Sequence, residues 1–289
     1  MSASLSRSGG QALADPPAEA ADPSPRPERS GRRRLAAIGR ESIPLVALLV
    51  LVVVWEAVVQ IFDVDPYTLP APTAIAKATV DNWSEVWPNL KTTLQETGGG
   101  FLLGTVVSLL VGLLVTFFPL AKRVVMPYMV IIQAAPKIAL GPILVIWFGF
   151  GLKTNIIFCA LICFFPIMVN FIAGLEDVHE DEMRIMRSYD ASRWQVFSHV
   201  QIYRSAPYLF TGLKLGVVLA VIGAVVAEFI QGGSGMGYYM VQMLNYAKTT
   251  EAFVAVSLLT VISVVLYWAF DILQAVLTPW QASRRLPNE

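Results

Sequence analysis

Among the ionisable side chains inside long apolar runs of this 289-residue chain are Lys137 and Glu228. A charge at that depth in a membrane marks a functional site by default and calls for a named partner. Two roles follow for this pair. Either Lys137 and Glu228 neutralise one another, or Lys137 lines a route for an anionic solute. Pro136 and Pro142 flank Lys137 and interrupt its helix. Such breaks are tolerated in hydrocarbon where neighbours or water satisfy the freed carbonyls, and broken helices at mid-membrane line substrate routes in transporters. A kink used only for packing is the alternative. Pro136, Lys137, Pro142 and Glu228 are therefore the candidate translocation residues.

Other reactive residue types point away from catalysis. Cys159 and Cys163 lie four apart in an apolar run with no further N or S ligand nearby, so they are expected to pack and not to bind metal. His179 and His199 fall in a polar loop and are expected to be solvated. The glycine-rich stretch after Gln231 lacks the G-K-[ST] of a nucleotide loop, and neither H-E-x-x-H nor G-x-S-x-G occurs. No catalytic residue, metal or cofactor is expected on this chain.

The elements that must position these residues are apolar helices. Charged residues make up 15% of the chain, against roughly 25% in soluble domains, and the mean hydropathy is +0.60. The class is all-α, a polytopic membrane protein. Six spans are expected, near 43–62, 93–118, 124–147, 154–173, 208–230 and 252–277. Each is close to the ~20 residues that cross a bilayer. Residues 1–40, rich in Ser, Pro, Ala and Arg, form a tail that cannot bury a core. Residues 41–92 hold the first span and an outer segment in which Thr73 is expected to cap a short interfacial helix. Residues 93–277 form the core, and 278–289 a second tail. Glu56 is expected at the outer interface or in a pair.

One polar stretch, 176–207, interrupts the core. Glu176, Asp177, Glu180, Asp181 and Glu182 would each cost roughly 2.5–3.5 kcal/mol at the bilayer centre, so the chain must fold in water here. Asp190 is expected to cap a short amphipathic helix over Ala191–Val200. Trp194 and Phe197, at i and i+3, share its apolar side and need a partner surface. Pro207 is expected to start the next helix. Placing both termini in the cytoplasm puts fifteen Lys and Arg inside and four outside, and the positive-inside rule favours that topology.

The polar stretch resembles the cytoplasmic loop of bacterial ABC importer permeases, which runs E-A-A, three residues, Gly, nine residues, I-x-L-P. The Gly position is Asp190, and I-x-L-P falls on Val200, Gln201, Ile202 and Tyr203. The chain departs at E-A-A (Arg184, Ile185, Met186), at the Gly and at the final Pro. Further motifs resemble the nitrate, sulfonate and taurine subfamily: Leu69–Pro72, the P-K-I-A-x-x-P of Pro136–Pro142 with Trp147, Phe148, Gly149 and Gly151, and Glu228 followed by Gly235, Gly237 and Tyr238. The resemblance covers about 69–277.

It implies an importer permease with six membrane helices and a cytoplasmic coupling helix. Asp190, Ala191, Ser192, Arg193, Trp194 and Phe197 would be its coupling residues. The partners implied are a separate ATP-binding subunit that carries the ATP, a periplasmic or lipid-anchored solute-binding protein, and a second copy of the chain. No nucleic acid is expected. The solute would be nitrate, a sulfonate, taurine or a related compound, or alternatively a pyrimidine vitamin precursor or riboflavin-like compound. A secondary transporter is less well supported, because only one Pro-broken span and no internal repeat are visible.

Overall fold

In the computed structural model the described residues are 30–280, with side chains described from Val46 onward except at Pro119 and Val130. The tails expected at the two ends lie outside the described residues over 1–29 and 281–289. Two compact units divide the chain, residues 1–51 and residues 52–289. What is described of the first is helical. The second holds everything that follows.

Eleven α-helices are described, and no strand among the described residues. They are α1 (Ser30–Ile61), α2 (Pro72–Asp81), α3 (Trp83–Phe117), α4 (Pro119–Ala134), α5 (Gly141–Phe148), α6 (Leu152–Glu176), α7 (Glu180–Ser188), α8 (Arg193–Val196), α9 (Ile202–Gln231), α10 (Met236–Asn245) and α11 (Thr249–Leu277). Among the described residues, α3, α6, α11 and the continuous run Arg193–Gln231 are each long and apolar enough to cross a membrane. The expected third span is present as α4 and α5, bent by 91° at Pro136. The six-span count is not established. The first apolar run lies on α1 and is described over Val46–Ile61.

The heart of the fold is α6, held between α3 and α9. Both neighbours present small residues to it. On α3 these are Gly100, Gly104, Ser108 and Gly112, four apart and so on one face. A side chain at Gly100 would collide with Cys159 and with the Ile156 carbonyl. On α9, Gly212 and Gly216 lie against Ile167, and Gly223 against Cys159. Apolar burial adds little drive between helices in lipid, so close approach through small residues and van der Waals contact must hold them. Cys159 and Cys163, both fully buried, are part of this packing.

Glu56 finds its partner at the start of α2. Its carboxylate accepts the Thr73 hydroxyl at 2.8 Å and the Thr73 backbone N–H at 3.1 Å. Thr73 is thus not the cap itself: Ala71 is the N-cap residue, Pro72 opens the helix, and Glu56 supplies the acceptor.

Candidate functional site

At the loop end, the segment between α6 and α9 departs from the expected form. Asp190 does not cap a helix. It takes a left-handed conformation with φ 51°, in the turn that closes α7. The cap is Ser192, two residues on. Its hydroxyl accepts the Gln195 N–H at 3.3 Å, while Gln195 Oε1 accepts the Ser192 N–H at 2.7 Å. This is the reciprocal S-x-x-Q capping box. Asp190 stands where the resembling loop has Gly, and a left-handed turn explains that preference, since Gly takes it without a Cβ clash.

The helix capped by Ser192 does not stop before the membrane. α8 runs through one wide turn, Phe197–Gln201, into α9, so Pro207 lies inside a continuous helix and does not start one. A displacement at Ser192–Phe197 therefore acts on the end of a rod that extends to Gln231.

The two aromatics divide the work. Phe197 is buried, 7% exposed, in a cluster with Phe171 and Leu175 of α6. Trp194 is 64% exposed. Its ring stacks at 6.1 Å on Phe117, the last residue of α3, and 5.4 Å from Phe197. Phe197 fixes the elbow to the bundle, and Trp194 presents its ring outward. Arg193 is exposed beside it, with Ala191 half-buried. Polar bonds hold the elbow as well. Gln201 Nε2 donates to the Leu175 carbonyl at 3.1 Å. Arg204 Nε donates to Glu182 at 3.1 Å, with a second bond from its Nη2. That guanidinium holds the Glu182 carboxyl below its ordinary range. Tyr208 donates to Asp177 at 3.0 Å, and Lys122 pairs with Glu176.

Along the bent helix, Pro136 ends α4, Lys137–Leu140 forms a short 3-10 turn, and Pro142 sits in the first turn of α5. Lys137 is half-buried there, its Nζ 5.7 Å from the centre of the Phe165 ring. It does not pair with Glu228: no ion pair among the described residues joins them.

Glu228 has other partners at the far end of the bundle. Its Oε1 accepts the Thr93 hydroxyl at 2.6 Å, and its Oε2 accepts the Gly237 N–H at 2.6 Å. Thr93 Oγ1 in turn accepts the Met236 N–H at 2.8 Å, and Asn89 Oδ1 accepts the Gly235 N–H at 3.0 Å. The start of α10 is thereby tied to α3 and α9. Beside this lies a second carboxyl, Glu96, 1% exposed against 0% for Glu228. Asn155 Nδ2 donates to Glu96 Oε1 at 2.7 Å, Gln231 Nε2 donates to Asn155 Oδ1, and Gln231 Oε1 accepts the Gly151 N–H at 2.8 Å. This polar knot joins α3, α6, α9 and α10.

Sequence reasoning missed Glu96, although an acid inside an apolar run is the same signal that marks Glu228. It also missed Phe117, Thr93, Asn155 and Gln231, which in sequence are ordinary helix residues.

Residues 101–283 match the family described as "Binding-protein-dependent transport system inner membrane component". The chain is 31% identical to the formylaminopyrimidine transport permease protein ThiX of Halalkalibacterium halodurans, over 82% of this chain and 95% of that protein. It is 25% identical to the putative aliphatic sulfonates transport permease protein SsuC of Bacillus subtilis, over 89% of this chain and 92% of that protein. Among solved structures, the inward-facing MetNI methionine ABC transporter superposes with a TM-score of 0.58 at 18% identity, covering 64% of this chain and 92% of that one. That likeness shows the fold alone.

Proposed function

The chain belongs to the family of binding-protein-dependent transport system inner membrane components, and from that premise we propose how its loop end and its bent helix serve transport. It is a permease subunit of an ABC importer, an inner-membrane multi-pass protein and not an enzyme. Importers of this family work with an ATP-binding subunit and a solute-binding protein.

In the proposed mechanism ATP binds only to the separate subunit. That subunit docks on the surface formed by Asp190, Ala191, Ser192, Arg193 and Trp194, with Phe197 anchoring the surface from behind. The observation that carries this is the exposed Trp194 ring, held by Phe117 and Phe197 at the tip of one continuous helix. Closure of the ATP-binding subunits moves the tip, and α8–α9 carries the displacement into the bundle, shifting it between two access states. One chain has one such elbow, so two copies related by a two-fold axis serve two ATP-binding subunits. Both termini and the elbow lie in the cytoplasm, which follows the distribution of basic residues. The bent segment Pro136–Pro142, with Lys137, borders the solute route, while Glu228 supports it from the knot.

The solute is a small polar compound handed over by the solute-binding protein on the outer side. A pyrimidine precursor or related heterocycle is favoured over nitrate, a sulfonate or taurine, because identity is higher to the formylaminopyrimidine permease than to the sulfonate permease, 31% against 25%. The test is ATP-dependent uptake in proteoliposomes holding the chain, its ATP-binding subunit and its solute-binding protein. Uptake of the heterocycle that raises the Tm of the binding protein supports the reading. Uptake of sulfonate with none of the heterocycle selects the other solute class, and uptake without ATP overturns the importer mechanism.

A further inference from the structure

We propose that Glu96 and Glu228 form a built-in proton site in which Glu96 Oε2 carries the proton and donates it to an ionised Glu228, so that one neutral acid and one carboxylate tie α3 to α9. The assignment rests on the direction of the hydrogen bonds, which backbone N–H groups fix at Glu96 Oε1 and Glu228 Oε2 and the shorter of two Thr93 bonds assigns at Glu228 Oε1. It is independent of which solute is carried.

From one side the chain of bonds starts at Gly151. A backbone N–H can only donate, so the Gln231 atom that receives it, 2.8 Å away, is the carbonyl Oε1. Gln231 Nε2 must then donate to Asn155 Oδ1. That leaves Asn155 Nδ2 to donate to Glu96 Oε1 at 2.7 Å. Side-chain amides are often ambiguous in orientation, but here both are fixed by what precedes them. Glu96 Oε1 is therefore an acceptor.

From the other side the chain starts at α10. The Gly237 N–H donates to Glu228 Oε2 at 2.6 Å. The Met236 N–H donates to Thr93 Oγ1 at 2.8 Å, so the Thr93 proton is free to point elsewhere. Its nearest acceptor is Glu228 Oε1 at 2.6 Å, against 3.3 Å to the Asn89 carbonyl. Both oxygens of Glu228 are thus acceptors, and they sit at the N-terminus of the ten-residue helix α10, where the helix dipole favours an anion.

One atom remains. Glu96 Oε2 is buried with no hydrogen-bond partner, while the carboxyls of Glu96 and Glu228 interact with one another. Neither acid has an ion pair with a lysine, arginine or histidine among the described residues. Two bare carboxylates in contact and out of water cannot both remain ionised. A proton on Glu96 Oε2 satisfies the orphaned atom and gives Glu228 a third donor. A proton on Glu228 would instead compete with donors that both its oxygens already receive.

Isosteric amides separate the two assignments. In Glu96→Gln the amide can accept from Asn155 through its oxygen and donate to Glu228 through its nitrogen, reproducing the proposed pattern. In Glu228→Gln the amide nitrogen must face either the Gly237 N–H, leaving a buried donor unpaired, or Thr93, turning its hydroxyl to the longer bond with the Asn89 carbonyl at 3.3 Å. With the full-length chain purified in detergent, Glu96→Gln is expected to stay within about 2 °C of the wild-type Tm and Glu228→Gln to fall by about 4 °C or more. Infrared difference spectra give the direct readout. The carbonyl stretch of a buried protonated acid is expected in wild type, lost in Glu96→Gln and retained, shifted, in Glu228→Gln. If Glu228→Gln does not fold, the Glu96→Gln spectrum decides alone. Survival of the acid band in Glu96→Gln, its absence from wild type, or a Glu96→Gln variant as destabilised as Glu228→Gln would overturn the proton site.

Discussion

The loop end and the far end of this bundle spend their polar groups in opposite ways. At the far end Glu228, Thr93, Asn155 and Gln231 each bond to another helix or to the start of α10, and both carboxyls are buried. At the loop end α7 has no buried residue, and the best-placed aromatic, Trp194, shows most of its surface. A knot whose donors and acceptors are used internally is a fixture. A rigid elbow with an uncovered aromatic is a handle. Substitutions should therefore damage assembly at the far end and communication at the loop end.

The largest expected effect is at Gly235. Its φ of 101° is one that side chains rarely adopt, and a Cβ there would strike the Glu228 carboxyl. Gly235→Ala should cost about 3 kcal/mol or more, from strain and overpacking together. The chain should then fail to accumulate in membranes, and wild-type yield and Tm would break the view of the far end as a fixture.

Phe197→Ala tests the one loop-end residue that behaves like core. Removing a buried phenylalanine costs about 3–5 kcal/mol, so Tm should fall clearly and the elbow should become protease-sensitive while the remaining helices stay protected. A small change would mean that Phe197 does not anchor the elbow.

A smaller effect is expected at the Glu182–Arg204 pair, whose glutamate is part-exposed. Because the folded carboxyl titrates below its ordinary range, the contribution is present above the unfolded carboxylate value of about 4.3 and is lost as pH falls through the folded one. Glu182→Gln should lower Tm by about 2 °C at pH 7, the effect of under about 1 kcal/mol. The gap to wild type should close on acidification below that window, and a gap that widens would contradict the sign.

The smallest is Asp190→Gly, which relieves a left-handed aspartate and should be neutral or stabilising by about 0.5 kcal/mol. Asp190→Pro, which forces φ near −65°, should lower Tm instead. If Gly also lowered it, the aspartate side chain would have a role beyond permitting the turn.

Much of the loop end was legible in the sequence. The acidic run marked where the apolar helix α6 ends, and the i, i+3 spacing of Trp194 and Phe197 put them together. The capping box was also present as Ser192-x-x-Gln195, but Asp190, another residue type that caps well, stood two positions earlier and took the assignment. The break at Pro136 was read correctly because proline acts locally. The far end was not legible. Thr93 and Glu228 are 135 positions apart and Glu96 and Asn155 are 59 apart, and nothing in either stretch specifies the other. The Lys137–Glu228 pair, one of the two roles considered for these residues, was reasoned from charge alone. Backbone N–H groups at a helix start satisfy a carboxylate equally well, and sequence does not show where such a start will point.

The central claim is that the surface around Trp194 receives the ATP-binding subunit without being needed for folding. Trp194→Ala measures this most directly, in parallel assays of Tm, co-purification of the ATP-binding subunit and solute uptake. Truncating an exposed anchor of this kind should weaken docking by about 2 kcal/mol, roughly thirty-fold, with uptake lost and Tm within about 2 °C of wild type. A Trp194→Ala chain that keeps its ATP-binding subunit and its uptake would show that coupling runs through another surface.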